Sequence, residues 1–424
     1  ACVECGRCET VCPACLAGTP LNPKTVVGAL SQLVRAEARG SGRAGGASGV
    51  AGDVAGGARG VAAGPRVAGA TSGGGPAGLA GATPPPPEPP IIVGDDLAVP
   101  TGALWACTTC GACVAACPAL IEIVDDIVDM RRYLTLTEGA LPGTGAAALR
   151  SMATAGNPWG YPPEDRLAWA AGLGVPVAEP GEHYDVLYWV GCSAAYDQRN
   201  QRIARAMARL LQAAGVRFAV MREERCHCES ARRMGEEYLY QTAAAENAAS
   251  LARYSFDRVV AHCPHCFNTL AHEYPFFGAS YRVVHHSRLL AELVAGGRLR
   301  VRPGAAGRIA VHDSCYLGRY NGEYEAPREV VRAAGGEVVE LPRRRAGGLC
   351  CGGGGGKMWF EDERTVRKIE HLRAEEALAA RPDAIGVACP FCLTMLDGAV
   401  RDLGAEGVAV LDVAEILARS LPDP

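Results

Sequence analysis

The chain has 424 residues, 21% of them charged and 49% hydrophobic, with a formal net charge of -4. That length predicts two or three domains, and the near-neutral balance gives no basic patch of the kind nucleic-acid binding needs. The outlier is the count of 19 cysteines, which at metal-type spacings in a long chain point to a reducing compartment rather than a disulfide framework.

The sequence opens Ala1-Cys2, inside a motif and without Met, so a missing upstream portion is expected. No signal peptide is visible, and no apolar run reaches the roughly 18 residues a membrane helix needs. The first motif is Cys2-x2-Cys5-x2-Cys8-x3-Cys12-Pro13, and Cys107-x2-Cys110-x2-Cys113-x3-Cys117-Pro118 repeats it. This is the spacing of two-cluster ferredoxins, in which the fourth cysteine of each run crosses to the other cluster. It assigns Cys2, Cys5, Cys8 and Cys117 to one [4Fe–4S] cubane, and Cys107, Cys110, Cys113 and Cys12 to a second. Paired zinc knuckles are the alternative, but zinc has no use for a crossing fourth cysteine. Cys15 stands outside the spacing and reads as a bystander.

Between the runs, residues 36–90 are mostly Gly, Ala, Pro and Ser with scattered Arg. That composition cannot bury enough apolar surface to order itself and reads as a disordered insertion. Loop-closure entropy grows only logarithmically, so the two runs can still meet. An amphipathic helix is predicted over 120–135, with Ile121, Val124, Ile127, Val128 and Tyr133 as its apolar face. Residues 1–138 are therefore expected to form an α+β, ferredoxin-like two-cluster module. Residues 139–183, rich in Gly and Pro around Asn157-Pro158-Trp159-Gly160, read as a linker lying against the next domain.

From 184 strands and helices alternate. Strands are predicted at 186–190, 216–221, 259–261 and 282–284, and helices at about 199–214 and 230–253. The pattern recurs with strands at 308–312, 337–341, 385–388 and 408–410, and helices near 326–334 and 360–380. This is a duplicated α/β unit, 184–300 and 301–424. Cysteines follow the strand ends, where open α/β sheets hold ligands. The second copy carries Cys315, Cys350-Cys351-Gly352 and Cys389-Pro390-Phe391-Cys392. The first carries Cys192, Cys226-His227-Cys228 and Cys263-Pro264-His265-Cys266, 123 to 126 residues earlier. Thiols gathered from three loops suit an iron–sulfur cluster.

In the second copy, Gly352 to Gly356 let backbone approach a cluster closely. A phosphate loop is excluded, because the positions it needs hold Cys351 and Met358. Lys357 is either a neutraliser of cluster charge or a solvated side chain. In the first copy, Cys192, Cys226, Cys263 and Cys266 supply four ligands, enough for a cubane. Cys228 is a fifth ligand or an idle thiol, and His227 a ligand, a neighbour of the cluster or an exposed ring. His285-His286 read as a hydrogen-bonded surface pair, with a quinone or haem role as the alternative. His312-Asp313 read as shaping the cluster loop, and Arg232-Arg233 as anchoring the Cys226 loop or attracting an anionic partner.

A ferredoxin module followed by two cysteine-rich CCG domains resembles the heterodisulfide-reductase-like iron–sulfur oxidoreductases, which include glycolate and lactate oxidase subunits. The likeness is closer to the electron-transfer-flavoprotein:menaquinone oxidoreductase branch. It rests on Cys2-Val3-Glu4-Cys5-Gly6-Arg7-Cys8, Trp105-Ala106-Cys107-Thr108-Thr109-Cys110-Gly111-Ala112-Cys113, Asn157-Pro158-Trp159-Gly160, Cys263-Pro264-His265-Cys266-Phe267-Asn268-Thr269-Leu270 and Cys315-Tyr316-Leu317-Gly318-Arg319-Tyr320. It covers nearly everything except 36–90. The resemblance implies a noncubane [4Fe–4S] cluster at Cys315, Cys350, Cys351, Cys389 and Cys392, the candidate redox site. It implies electron flow from an electron-transfer flavoprotein, or another flavoprotein donor, toward menaquinone or another quinone in fatty-acid oxidation. It also implies haem b in an upstream membrane part and a place on the cytoplasmic face of the cell membrane, held by that part or by a partner subunit. The alternatives are a heterodisulfide or glycolate/lactate oxidase-type subunit and, from another class, a zinc-binding scaffold without turnover. Two departures from the branch pattern stand out: Cys228 replaces Gly, which puts the first loop's conformation in question, and Ser314 replaces Pro.

Overall fold

The computed structural model describes residues 2–41, 93–94, 98–302, 304, 306–360 and 366–422. The expected disordered insertion lies outside these residues, except that 36–41 close the helix Pro23–Ser41 (α1). The N-terminal module winds its two cysteine runs as tight loops beside α1 and the helix Ile123–Leu136 (α2). Val124, Ile127 and Val128 are buried along α2 as the periodicity predicts, Tyr133 is half-buried, Ile121 lies before the helix, and Leu134 and Arg131 are buried with them. Among the described residues this module is helical, with one isolated bridge between Val93 and Val99 where α+β was expected. Three-residue cysteine spacings close loops on themselves and leave no alternating run to pair as strands.

Residues 139–183 are more structured than a linker. They hold the helix Gly145–Ala155 (α3) and a 3-10 turn over Pro163–Ala170. Buried Asn157 pins the bend between them. Its side chain accepts from the Trp159 and Tyr161 amides and donates to the Ala155 and Tyr161 carbonyls.

The two α/β copies have one topology. The first sheet runs β2 (Phe218–Ala219), β1 (His183–Trp189), β3 (Ser255–Ala261), β4 (Val283–His285), all parallel. The second runs β6 (Glu337–Val339), β5 (Arg308–Val311), β7 (Ala384–Val387), β8 (Ala409–Asp412), also parallel. In each sheet the first central strand (β1, β5) connects toward one edge and the second (β3, β7) toward the other, so the loops after the two central strands diverge. The predicted strand 216–221 shrinks to two residues at its sheet edge, where Val220 instead pairs with Val177.

The helices are Gln201–Ala213 (α4), Glu229–Arg233 (α5), Glu237–Leu251 (α6), His286–Ala295 (α7), Glu325–Ala333 (α8), Ile369–Ala379 (α9), Pro390–Asp402 (α10) and Val413–Ala418 (α11). The single helix predicted over 230–253 breaks between α5 and α6. Gly235 there has φ +89, and a Cβ would lie 2.5 Å from the Arg131 carbonyl oxygen, so the break is where α2 presses on the first copy. The predicted helix 360–380 begins at Ile369, and 361–365 lie outside the described residues.

The copies face each other across an approximate twofold axis. Equivalent pairs of helices pack across it, α4 on α11 and α8 on α7. One apolar core continues across, from Val186, Tyr188 and Val260 to Ile309, Val311 and Val330. His286 Nε2 meets Asp412 Oδ1 at 2.8 Å, both fully buried in this interface. His285 is buried beside them and bonds Ser287 Oγ at 2.8 Å. The expected surface pair is therefore an interface pair, because the end of β4 is covered by the other copy.

Candidate metal centres

All 19 cysteines are free thiols. All but Cys15 collect into two ferredoxin-type pockets and two CCG-type pockets.

Cys2, Cys5, Cys8 and Cys117 line the outer pocket with Cys113. Cys12, Cys107, Cys110 and Cys113 line the inner one. Cys12 thus sits with the second run, its thiol pushed well up by burial and by Cys110, Cys107 and Cys113. Cys15 lines neither pocket.

In the second CCG copy, Cys315 follows β5, Cys350 and Cys351 follow β6, and Cys389 and Cys392 start α10 after β7. All five are buried. Hydrogen bonds from Cys350 and Cys392 hold Cys351 down to about 5 against its burial. Contact with Cys350 and burial push Cys315 well up. In the first copy, Cys192 and Cys226 sulfurs lie 3.8 Å apart, and Cys263 bonds Cys266. Buried thiols from three loops crowded this closely, with no disulfide, fit soft metal ions and sulfide. A set of four or five in each pocket matches the donor number a cluster takes.

The repeat explains the first copy's departures. Gly352 has φ +91, and a Cβ there would point at Ile369 and Glu370 on α9, away from the thiols. Cys228 stands at the equivalent position with φ +56, left-handed as its loop demands. Its thiol reaches the Cys226 thiol and donates to the Cys226 carbonyl at 3.5 Å, and its other neighbours include Arg225, Glu246 and Tyr274. His227 stands where Cys351 does. The amide two residues on donates to each: Gly353 to Cys351 sulfur, Glu229 to His227 Nδ1 at 3.2 Å. His227 is buried, not exposed.

The pockets are contiguous. The Cys110 thiol of the ferredoxin module bonds Cys350 of the second copy. Cys263 of the first copy bonds Cys389 of the second. The glycine run does its close approach against the ferredoxin loop: Cβ atoms at Gly354 and Gly355 would each lie 2.5 Å from the carbonyl oxygens of Thr108 and Cys107.

Several charged residues other than the cysteines sit at these joints. Arg131 Nε and Nη2 donate to Leu104 O at 3.0 and 2.6 Å, Nη2 to Cys107 O at 2.6 Å, and Nη1 to Arg233 O and Gly355 O at 2.9 and 2.8 Å. Its signal in the sequence was a charge on the apolar stripe of α2. Arg319 donates to Cys110 O at 3.2 Å, and the Cys110, Cys315 and Cys350 thiols raise its pKa against burial. It is a cation beside these thiols; Lys357 lies 5.7 Å over the Phe360 ring. Glu224 accepts from the Val190 and Gly191 amides at 2.9 and 2.7 Å and pairs with buried Arg166, fixing the Cys192 turn. Asp313 does the same for the Cys315 loop, accepting from Arg328 at 2.7 and 3.0 Å and from the Arg345 amide at 2.7 Å. Arg232 and Arg233 pair with Glu273 at 2.7 and 2.6 Å, as anchors of the α5 turn. His265 faces Glu229 at 3.3 Å and stacks on Tyr316 at 3.9 Å; burial pulls it down, but Glu229 and Cys389 bring it up to about 9.

The cysteine-rich CCG domain family matches residues 186–271 and 309–397, and the 4Fe-4S dicluster domain matches 1–121. One subunit of the dihydromethanophenazine:CoB–CoM heterodisulfide reductase of Methanosarcina barkeri is 30% identical over 74% of this chain and 77% of its own length. The chain belongs to the CCG-domain iron–sulfur oxidoreductase family. A probable membrane-anchored ferredoxin of Chromohalobacter salexigens is 43% identical over 99% of this chain and 59% of its own. An EtfAB:quinone oxidoreductase of Syntrophomonas wolfei is 36% identical over 99% and 58%. The chain thus spans under two thirds of these two relatives. No helix among the described residues is long and apolar enough to cross a membrane.

Proposed function

We propose that this family member is an electron-transfer subunit, carrying electrons from an electron-transfer flavoprotein through four iron–sulfur clusters toward a quinone. Cys2, Cys5, Cys8 and Cys117 hold the first cubane in this reading, and Cys107, Cys110, Cys113 and Cys12 the second. Cys192, Cys226, Cys263 and Cys266 hold a third cubane, with Cys228 idle. Cys315, Cys350, Cys351, Cys389 and Cys392 hold a noncubane cluster. The clusters supply one-electron transfer, and the chain's contribution is spacing, burial and hydrogen bonds that tune potential.

The observation that carries the reading is thiol contact between pockets, Cys110 with Cys350 and Cys263 with Cys389. It supports an unbroken route from the partly exposed ferredoxin cysteines inward. Arg131, Arg319 and the glycine run supply the rigid junction that route needs. The names of the EtfAB:quinone oxidoreductase and membrane-anchored ferredoxin relatives favour the flavoprotein donor, the quinone acceptor and attachment to a membrane.

The test uses anaerobically purified protein with iron and sulfide measured. Reduced electron-transfer flavoprotein should reduce its clusters, followed by EPR, and a water-soluble menaquinone analogue should reoxidise them. Clusters that dithionite reduces but the flavoprotein does not would overturn the donor. Turnover of a heterodisulfide instead of the quinone would transfer the acceptor assignment to that substrate. Stoichiometric zinc without iron would leave the scaffold reading.

A further inference from the structure

Three residues before the first cysteine of each copy stands a buried ring with an N–H: Trp189 before Cys192, His312 before Cys315. Both positions continue the central strand at its thiol end. Trp189 pairs with Ala261 in the β1–β3 ladder, and the His312 amide extends the β5–β7 ladder to the Gly386 carbonyl at 2.9 Å.

Neither ring nitrogen finds a hydrogen-bond partner among the described residues. Trp189 Nε1 and His312 Nε2 are both buried and unpaired. A buried N–H without an acceptor costs about 1–3 kcal/mol, so two at one repeat position call for an explanation. Both rings lie beside cysteines of their own copy, the last one included. The Trp189 indole lies beside the Cys266 thiol, whose pKa it lowers, while its Nε1 has no hydrogen-bond partner among the described residues. A His312 ring nitrogen and the Cys351 and Cys392 sulfurs all lie within 4.8 Å of one another. The Arg373 Nε–H donates to His312 Nδ1 at 3.0 Å. A guanidinium has no acceptor role, so Nδ1 must carry the lone pair and Nε2 the proton. The nitrogen left for the thiols is therefore a donor, as the indole nitrogen always is.

We propose that Trp189 and His312 are equivalent hydrogen-bond donors to sulfur, one per copy, that set the reduction potentials of the two CCG-site clusters. The proposal rests on the reading that these thiols hold iron–sulfur clusters. An N–H aimed at a cluster thiolate or sulfide favours the more negative, reduced state and raises its potential. The two copies reach one donor geometry by different residues: an indole that cannot ionise, and an imidazole whose tautomer Arg373 fixes.

The first test needs no variant. Parent protein labelled with 15N at the tryptophan indole and at histidine is examined by pulsed EPR. A hyperfine coupling to indole 15N at the first-copy cluster and to imidazole 15N at the second is expected. Iron-loaded, EPR-active clusters without either coupling would overturn the proposal. Protein without CCG-site clusters would instead fail the underlying reading, a different result. The second test is redox titration of Trp189→Phe, His312→Phe and His312→Gln at unchanged iron content. Each Phe variant should shift only its own copy's redox equilibrium, by about tenfold toward the oxidised cluster, or 59 mV for one electron. His312→Gln keeps an amide N–H near the Nε2 position and should recover most of the shift. Unmoved potentials in both Phe variants would refute the tuning role.

Discussion

Replacing Arg131 by Met should loosen the ferredoxin module from the two CCG copies. The guanidinium binds four buried carbonyls, two in its own module (Leu104, Cys107), one in the first copy (Arg233) and one in the second (Gly355). Counted once per carbonyl, hydrogen bonds from a charged donor contribute about 1.5–3 kcal/mol each, a gross loss of about 6–12 kcal/mol. No carboxylate faces Arg131 among these partners, and burial draws its pKa down to about 10, against Cys107 and Tyr316. Met removes that desolvation cost, several kcal/mol, while filling most of the volume. The net destabilisation should be about 3–5 kcal/mol, and Arg131→Lys, which reaches fewer carbonyls, should lose about half as much. Anaerobic urea unfolding would show it as a lower midpoint, and limited proteolysis would cut first within 98–136. A midpoint within about 0.5 kcal/mol of the parent, with an unchanged cleavage pattern, would refute the clamp.

Gly355→Ala would press a Cβ to 2.5 Å from the Cys107 carbonyl at a residue with φ +66, so magnetic coupling between the inner ferredoxin cluster and the second-copy cluster should weaken. Cys228→Gly should relieve a left-handed non-glycine residue, stabilising by about 1 kcal/mol in thermal unfolding, with iron content intact. Iron lost in that variant would make Cys228 a ligand. Cys351→Ser should abolish the second-copy EPR signature and spare the ferredoxin cubanes; an unchanged spectrum would remove Cys351 from the ligand set. Burial works to raise the Glu273 carboxyl, but Arg233 and Arg232 hold it below the ordinary glutamate value. Its folded pKa is depressed, so its stabilisation is present above about pH 4.5 and fades as pH falls through the folded value. Urea midpoints of Glu273→Gln should depend less on pH than the parent's below about pH 5.

The ligand candidates were legible because each motif is local. A cysteine every third residue, or a pair after a strand, carries its chemistry in its spacing. The duplication was legible from the constant offset, and the strands from their apolar runs. What escaped was set by convergence of distant segments. The break at Gly235 exists because α2 lies there, and no local rule places α2. His285 and His286 read as surface residues because only the approximate twofold covers them. Arg319 reaches the ferredoxin loop because the chain after Cys315 carries its side chain to the Cys110 carbonyl, a meeting of distant segments. Cys228 was an anomaly in sequence and is a left-handed residue in structure, its cost fixed by a loop geometry it shares with Gly352.

The close fit of the glycine run against the Cys107 loop also bears on how the protein is built in the cell. The five second-copy cysteines are at most 6% exposed once that loop is seated. A scaffold delivering iron and sulfide cannot reach them through it. If these thiols hold the proposed clusters, iron and sulfide would have to reach the CCG pockets before the ferredoxin loop closes on them, and the outer pocket, where Cys5 remains exposed, could be filled last. The clasp at Arg131 would then act as a maturation checkpoint, closing over centres already assembled.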